Sequence, residues 1–392
     1  MTTPPSLPTP PGIPLSAEAA QVIADLQRVI AAEMERAAGW LGFERFMELA
    51  LYAPGLGYYA NGSTKFGTLP QGTKEADGSV KGAGSDFVTA PEMSPLFGYS
   101  LAHQVAQALQ ATGTLEVWEF GAGTGALALQ VITALKAMGQ PVARYTIVDL
   151  SDSLKERQRH TLREHLDTVQ WVSALPERFS GVVLGNEVLD AMPVALLARV
   201  KGDWYERGVG LKDGAWAWTD RPTTASPPLE VEGEHDYLTE VHPQAAAFVR
   251  TLADRMERGA AFFLDYGFPE AEYYHPQRHM GTVMCHRAHQ ADDNPLDAVG
   301  LKDITAHVNF TGIAVAAQDA GMDVLGYTTQ AHFLMNCGLV QLMQEAPLPE
   351  RVAAQKLILE HEMGELFKVI GLVKGEAFET LGFARGDRTH RL

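Results

Sequence analysis

The stretch from Leu115 to Ala126, LEVWEFGAGTGA, constrains the fold of this chain more than any other. A short apolar run ends in Glu119 and Phe120, and three glycines follow at alternate positions, Gly121, Gly123 and Gly125. This is the pattern of a strand passing through a glycine-rich turn into a helix, and such turns hold a nucleotide. The segments that follow keep the alternation. RYTIVDL reads as a strand, and SDSLKERQRHTLREHL as a helix capped by Ser151. VQWV is a short strand, GVVLGNEV a buried one, and AAFFLDYG a strand fed by a helix over 243–258. Strands alternating with helices predict a parallel sheet with helices on both faces. Ligands on such sheets sit outside the carboxyl ends of the strands. The residues to inspect are therefore Glu119 to Gly125, Asp149, Asn186 with Glu187, and Asp265 with Tyr266.

Two templates fit the glycine turn. Gly121, Gly123 and Ala126 satisfy the dinucleotide pattern G-x-G-x-x-G/A. Glu119 with Gly121, Gly123 and Gly125 satisfies the acid-x-G-x-G-x-G pattern of S-adenosylmethionine (AdoMet) methyltransferases. Charge separates the two. A dinucleotide presents a pyrophosphate to the turn, and a carboxylate two residues before the first glycine repels it. AdoMet carries an ammonium and a sulfonium, so Glu119 favours it. Asp149 stands 24 residues past Gly125 and can accept both ribose hydroxyls of either cofactor.

The remaining segments are less informative. Ser16 is placed to cap a helix over 17–38, and FERFMELALY reads as a second, short helix. Residues 68–85 are polar and Gly-rich, as in a flexible loop. SPLFGYSLAHQVAQALQ opens a helix with Ser94 as cap and Pro95 at its first position. The region around 197–219 has the alternation of an antiparallel meander inserted into the alternating scheme. The formal net charge of −17 argues against broad binding to a phosphate backbone and suits a cationic partner. Cys285 and Cys337 are far apart and imply no disulfide framework. No stretch is long and apolar enough to span a membrane. The first fifteen residues are Pro-rich without Arg or Lys, which predicts a disordered cytoplasmic N-terminus rather than a targeting peptide.

Several segments together resemble one family. In order, they are ALYAPGLGYY, SDFVTAPEMSPLFG, WEFGAGTGAL, VDLSDSLKERQ, GNEVLDAMPV, WYERGV, FFLDYGF, GTVMCHRAH, DITAHVNF and TQAHFL. They look like the MidA family of AdoMet-dependent protein arginine methyltransferases, which spans a mitochondrial complex I assembly enzyme and bacterial relatives. The resemblance runs from about residue 40 to 335. It implies an α/β fold with a Rossmann-like class I methyltransferase sheet, an N-terminal helical extension and an inserted β-meander. It also implies symmetric dimethylation of an arginine on a subunit of the respiratory NADH dehydrogenase. The sequence departs from the family at Ser85, where a glycine is usual, and at Asp149, where glutamate is common.

Roles follow for particular residues. Glu119, Gly121, Ala122, Gly123, Gly125, Asp149, Leu150 and Asn186 are expected at the cofactor. Asn186, Glu187 and Asp190 are catalytic candidates because the fourth strand's end faces the methyl group in this fold and two carboxylates suit a guanidinium, and His307 of DITAHVNF is a further candidate, with a structural histidine as the alternative. Glu92, Asp265 and Tyr266 are expected on the substrate side; for Glu92 the alternative is a favourable charge at a helix N-terminus. His275, His279, Cys285, His286 and His289 cluster without any standard zinc spacing, so no metal is expected. The expected division is a disordered segment over 1–15, an extension over 16–92, and a methyltransferase domain over 93–392 with insertions near 197–240 and 268–312. Two rival readings are an assembly chaperone that binds the nucleotide without turnover and a dinucleotide oxidoreductase. The modified subunit, the modified residue and the oligomeric state are not legible.

Overall fold

The computed structural model describes residues 17–61, 73–74, 80–81, 88–287 and 290–392. The expected Ser16 cap, most of the 68–85 loop, Ser85 and His289 lie outside them. The chain forms two units. One joins residues 1–87, 191–243 and 274–306; the other joins 88–190, 244–273 and 307–392.

The second unit is built on a sheet whose strands we number β1 (Glu116–Phe120), β2 (Arg144–Val148), β3 (Val169–Val172), β4 (Phe179–Asn186), β5 (Met256–Phe268), β6 (Asp323–Thr329) and β7 (Phe367–Lys374). Their order is β3-β2-β1-β4-β5-β7-β6, with Val308–Asn309 pairing beside β5. Strands β1 to β5 pair with one another in parallel. The sheet is mixed rather than wholly parallel, because β7 runs antiparallel to both β5 and β6. The predicted alternation ended at β5, and the closing pair lies beyond it.

Helices α1 (Pro95–Thr112), α2 (Ala126–Ala137), α3 (Asp152–Thr161) and α4 (Pro243–Arg255) cover the sheet. Ser94 caps α1 by accepting from Leu96 N, and Ser151 caps α3 by accepting from Leu154 N. Successive strand residues point to opposite faces. Phe262 of β5 joins the core made by Leu101, Val105 and Leu109 of α1. Phe263 packs instead on Phe248 of α4, at a ring separation of 5.8 Å. Both faces are therefore buried, which is why β4 and β5 read as continuous apolar runs.

The first unit contains the helices Ala17–Arg36 and Phe43–Tyr52. It also holds a five-stranded antiparallel sheet of Trp40–Gly42, Ala195–Val200, Asp203–Lys212, Ala215–Pro222 and Tyr237–Val241. The hairpin turns fall at Lys201-Gly202 and Asp213-Gly214, all with positive φ, as two-residue hairpins require. Leu26, Ile30, Met34, Phe43, Phe46, Leu196 and Val209 share this unit's core with Cys285 and Ile304. This unit takes in 16–87 of the expected extension, the whole of 197–240 and 274–306 of the second inserted region, whereas 88–92, 268–273 and 307–312 belong to the other unit. Among the described residues no helix is long and apolar enough to cross a membrane.

Candidate active site

Register brings the site together. Phe120 at the end of β1 lies opposite Val148 of β2 and Gly185 of β4, and Asn186 lies opposite Leu264 of β5. Gly121, Asp149, Glu187 and Asp265 therefore leave the sheet or continue past it at one edge. The strand order reverses between β1 and β4, and a ligand crevice opens at such a reversal.

Gly121, Gly123 and Gly125 take φ of 63°, 51° and 86°, which side-chain-bearing residues rarely adopt. A Cβ at Gly121 would also lie 2.8 Å from Val188 Cγ2. Inside the turn, Gly125 N donates to Ala122 O at 2.7 Å, and α2 starts at Ala126. Glu119 is buried beneath it, and Tyr145 Oη donates to Glu119 Oε2 at 2.6 Å. Burial pushes the Glu119 carboxyl up to about 7; the Tyr145 hydroxyl opposes this and the Asp149 charge adds to it.

Asp149 is half-buried past the end of β2, and Leu150 beside it is exposed. Asp149 Oδ1 accepts from Ser151 N at 2.8 Å, and Oδ2 from Gln158 Nε2 at 2.7 Å. Burial raises this carboxyl as well, against those two bonds.

A further acid arrives from the segment ahead of α1. Gln130 of α2 donates to Pro91 O at 2.8 Å and accepts from Gly98 N at 3.1 Å, so α2 grips this segment at both ends. Glu92 in the short helix Ala90–Met93 then accepts from the hydroxyl of Thr124, inside the glycine turn. Glu92 is bonded to the turn itself, beyond any general effect of charge at a helix end.

The end of β4 is held from below. Glu187 takes φ of 52°, and its N–H donates to Leu264 O at 2.9 Å. The next three N–H groups converge on one oxygen: Val188, Leu189 and Asp190 donate to Asp265 Oδ2 at 3.1, 2.9 and 3.2 Å. Asp265 Oδ1 accepts from Tyr266 N at 3.0 Å, and the side chain is 1% exposed. Burial, followed by the Asp190 and Glu187 charges, holds the Asp265 carboxyl well above the usual range, against the pull of the N–H donors. Asp265, expected on the substrate side, is instead buried beneath the turn and anchors it from inside. Asp190 is buried too, at 4% exposure. Asn186 Nδ2 donates to Glu187 Oε1 at 2.9 Å, whereas Asn186 Oδ1 is buried without a partner.

Tyr266 and His307 are brought together because β5 runs on to pair Gly267 with Val308. The His307 ring stacks on Phe268 at 5.2 Å and meets Tyr266 edge-on at 5.1 Å, so it stands in an aromatic cluster. The expected His/Cys group belongs to the first unit. Cys285 is buried there, and burial pushes its thiol up. Among the described residues no group of three or more His, Cys, Asp or Glu could hold a metal ion.

Sequence reasoning missed Tyr145, Thr124, Gln130, Gln158 and Trp171. Their partners are 9 to 39 residues away, and no local pattern marks a hydrogen bond across such a distance.

The donor and acceptor chemistry fits AdoMet. Glu92, Glu119 and Asp149 supply carboxylates at or beside the turn, and Asn186 supplies an orphaned carbonyl at the neighbouring strand end. AdoMet brings two positive groups, ribose hydroxyls and an adenine amine, all of which such acceptors suit. A pyrophosphate would meet carboxylates instead.

Fold and site define a class I AdoMet-dependent methyltransferase. Comparison with known proteins agrees. The family described as S-adenosyl-L-methionine-dependent methyltransferase matches residues 100–328. A crystal structure from Burkholderia thailandensis, bound to S-adenosyl-homocysteine, is 49% identical with a TM-score of 0.90, covering 97% of this chain and 100% of that one. A native structure from the same organism is 47% identical with a TM-score of 0.87 and the same coverage. The protein arginine methyltransferase NDUFAF7 of Danio rerio is 29% identical over 344 residues, 79% of this chain and 75% of that protein. The homologue in Caenorhabditis elegans is 26% identical over 377 residues, 86% of this chain and 84% of that protein. The chain belongs to this MidA-like methyltransferase family, and its cofactor is AdoMet.

Proposed function

We propose that the chain methylates an arginine of a protein substrate. One observation carries the choice of acceptor: Glu187 is held at a φ of 52° at the end of β4, its carboxylate fixed by Asn186, with buried Asp190 on the same turn. A backbone conformation of this kind costs about 1–3 kcal/mol and persists where the surroundings impose it. Here Asp265 imposes it through three N–H bonds. A guanidinium is planar, permanently charged and matched to carboxylates, so Glu187 and Asp190 are suited to orient it. The net charge of −17 favours approach of a cationic segment. The relatives in Danio rerio and Caenorhabditis elegans are named protein arginine methyltransferases, which supports the same acceptor.

Bound at the glycine turn, AdoMet supplies the electrophilic methyl group. Glu119 and Glu92 place negative charge near its cationic end, Asp149 accepts from its ribose, and Asn186 offers the free carbonyl. Glu187 aligns the acceptor nitrogen and supports its charge during transfer. The substrate suggested by the family resemblance is a subunit of the respiratory NADH dehydrogenase, dimethylated symmetrically. The eukaryotic relatives are named mitochondrial; for this chain we propose the cytoplasm.

Glu187→Gln tests this reading. Glutamine keeps the size and one acceptor but loses the charge. AdoMet affinity should stay at the parent value while methyl transfer falls by roughly 10²–10³. A radiolabel transfer assay beside a binding titration separates the two, and transfer at the parent rate would reduce Glu187 to a turn residue. Mass spectrometry of NADH dehydrogenase subunits, with and without the gene, identifies the target.

A further inference from the structure

Helix α3, DSLKERQRHT, is polar apart from Leu154, and its one buried residue is Gln158, at 0% exposure. A fully buried amide needs all of its hydrogen-bonding capacity met inside the protein. Gln158 meets it at the cofactor site. One proton of its amide nitrogen goes to Gly123 O at 3.0 Å, in the middle of the glycine turn. The other goes to Asp149 Oδ2 at 2.7 Å. Its carbonyl accepts from Trp171 Nε1 at 2.8 Å, which fixes which end of the amide is which.

We propose that Gln158 is a positioning residue for the cofactor. It clamps the glycine turn to the carboxylate of Asp149, with Trp171 of β3 as the group that sets the amide's orientation. This rests on the reading of Asp149 as the ribose acceptor. With Oδ1 on Ser151 N and one lone pair of Oδ2 on Gln158, the lone pairs left to Asp149 have fixed directions. A donor, rather than an acceptor, at this place also keeps the half-buried Asp149 charged. The glycine turn is the segment most in need of such a clamp. Its φ values favour glycine, and glycine has more backbone conformations to lose than any other residue.

The test is Gln158→Glu in the full chain, with AdoMet and S-adenosyl-homocysteine titrated between pH 5.5 and 8. The substitution keeps size and the acceptor for Trp171. It replaces both donated bonds by a carboxylate facing Asp149. Affinity at pH 8 should fall tenfold or more, since a bond to a charged acceptor is worth roughly tenfold or more in binding. Two carboxylates in contact raise the pKa of one of them, so the pair takes up a single proton as pH falls. That proton restores a donor toward Asp149, and the variant's deficit against the parent at the same pH should shrink at pH 5.5. A residue that merely supports the fold would give a loss independent of pH, accompanied by a lower melting temperature of the free protein. Trp171→Phe leaves the amide free to turn over and should weaken binding by a smaller factor at every pH. Affinity equal to the parent's in Gln158→Glu at pH 8, or a deficit against the parent at the same pH that does not shrink on acidification, overturns the proposal. If Gln158→Glu does not fold, unchanged affinity in Trp171→Phe overturns it. Asp149→Ala run alongside separates the two ideas: unchanged affinity there removes Asp149 from the ribose, whereas weakened affinity there with intact Gln158→Glu removes only Gln158.

Discussion

Glu119 illustrates what one residue contributes when burial and charge compete. Its carboxyl has an ordinary value of 4.5 and is pushed up to about 7. Between those values the folded chain holds a proton that the unfolded chain has released. Its contribution to stability is therefore complete below 4.5 and fades as pH rises through 7, by an amount on the order of 3 kcal/mol. Cofactor binding works in the opposite sense, because positive charge near Glu119 favours its ionised form. AdoMet affinity should rise from pH 6 to 7.5, with a fraction of a proton released on binding near pH 7. Calorimetric titration in two buffers of different ionisation enthalpy measures that release. Glu119→Gln should flatten the pH dependence and abolish the release; a parent-like profile in that variant would place the titrating group elsewhere, with Asp149 next.

At the scale of the element, the turn after β4 depends on a strand 75 or more residues away. Asp265 Oδ2 accepts three consecutive N–H groups of that turn. Asp265→Ala leaves all of them buried without a partner, at about 1–3 kcal/mol each. We expect a loss of at least about 3 kcal/mol in unfolding free energy by denaturant titration, and near-complete loss of methyl transfer. Asp265→Asn keeps an acceptor oxygen and should recover much of the stability. If Asp265→Ala unfolds like the parent, the turn is held by its own backbone, and the φ of Glu187 has another cause.

For the whole molecule, two units are woven from alternating stretches of chain, and every residue assigned above to the cofactor belongs to the unit of 88–190, 244–273 and 307–392. The acceptors that suit AdoMet come from three strand ends and one short helix, so they exist together only in the folded unit. A ligand that binds only the folded state at a hundred times its Kd stabilises by about 2.7 kcal/mol. Scanning calorimetry should show that shift with AdoMet or S-adenosyl-homocysteine and none with NAD at equal concentration. Stabilisation by NAD alone would contradict the assignment of Glu119, Glu92 and Asp149 to a cationic ligand.

Much of the architecture was legible because it depends on periodicities and turns encoded within a few residues. LEVWEFGAGTGA specified a strand, a turn that favours glycine and a helix, and Glu119 already indicated the sign of the ligand's charge. Asp149, Asn186 and Glu187 were legible as strand ends, since a parallel α/β sheet places its ligands there. The antiparallel closing strand β7 was not, because burial on both faces erases the alternation that would mark its direction. Nor were the partners of the site residues. The sequence places Asp265 on the substrate side rather than beneath the turn, does not mark Gln158 within a mostly polar helix, and leaves Glu92 between the substrate side and a charge at a helix start. Their roles depend on which strand ends and helix faces come within 3 Å of one another. That is decided by register and packing across the sheet, where a hydrogen bond between residues 9 or 76 apart leaves no periodic trace in the chain.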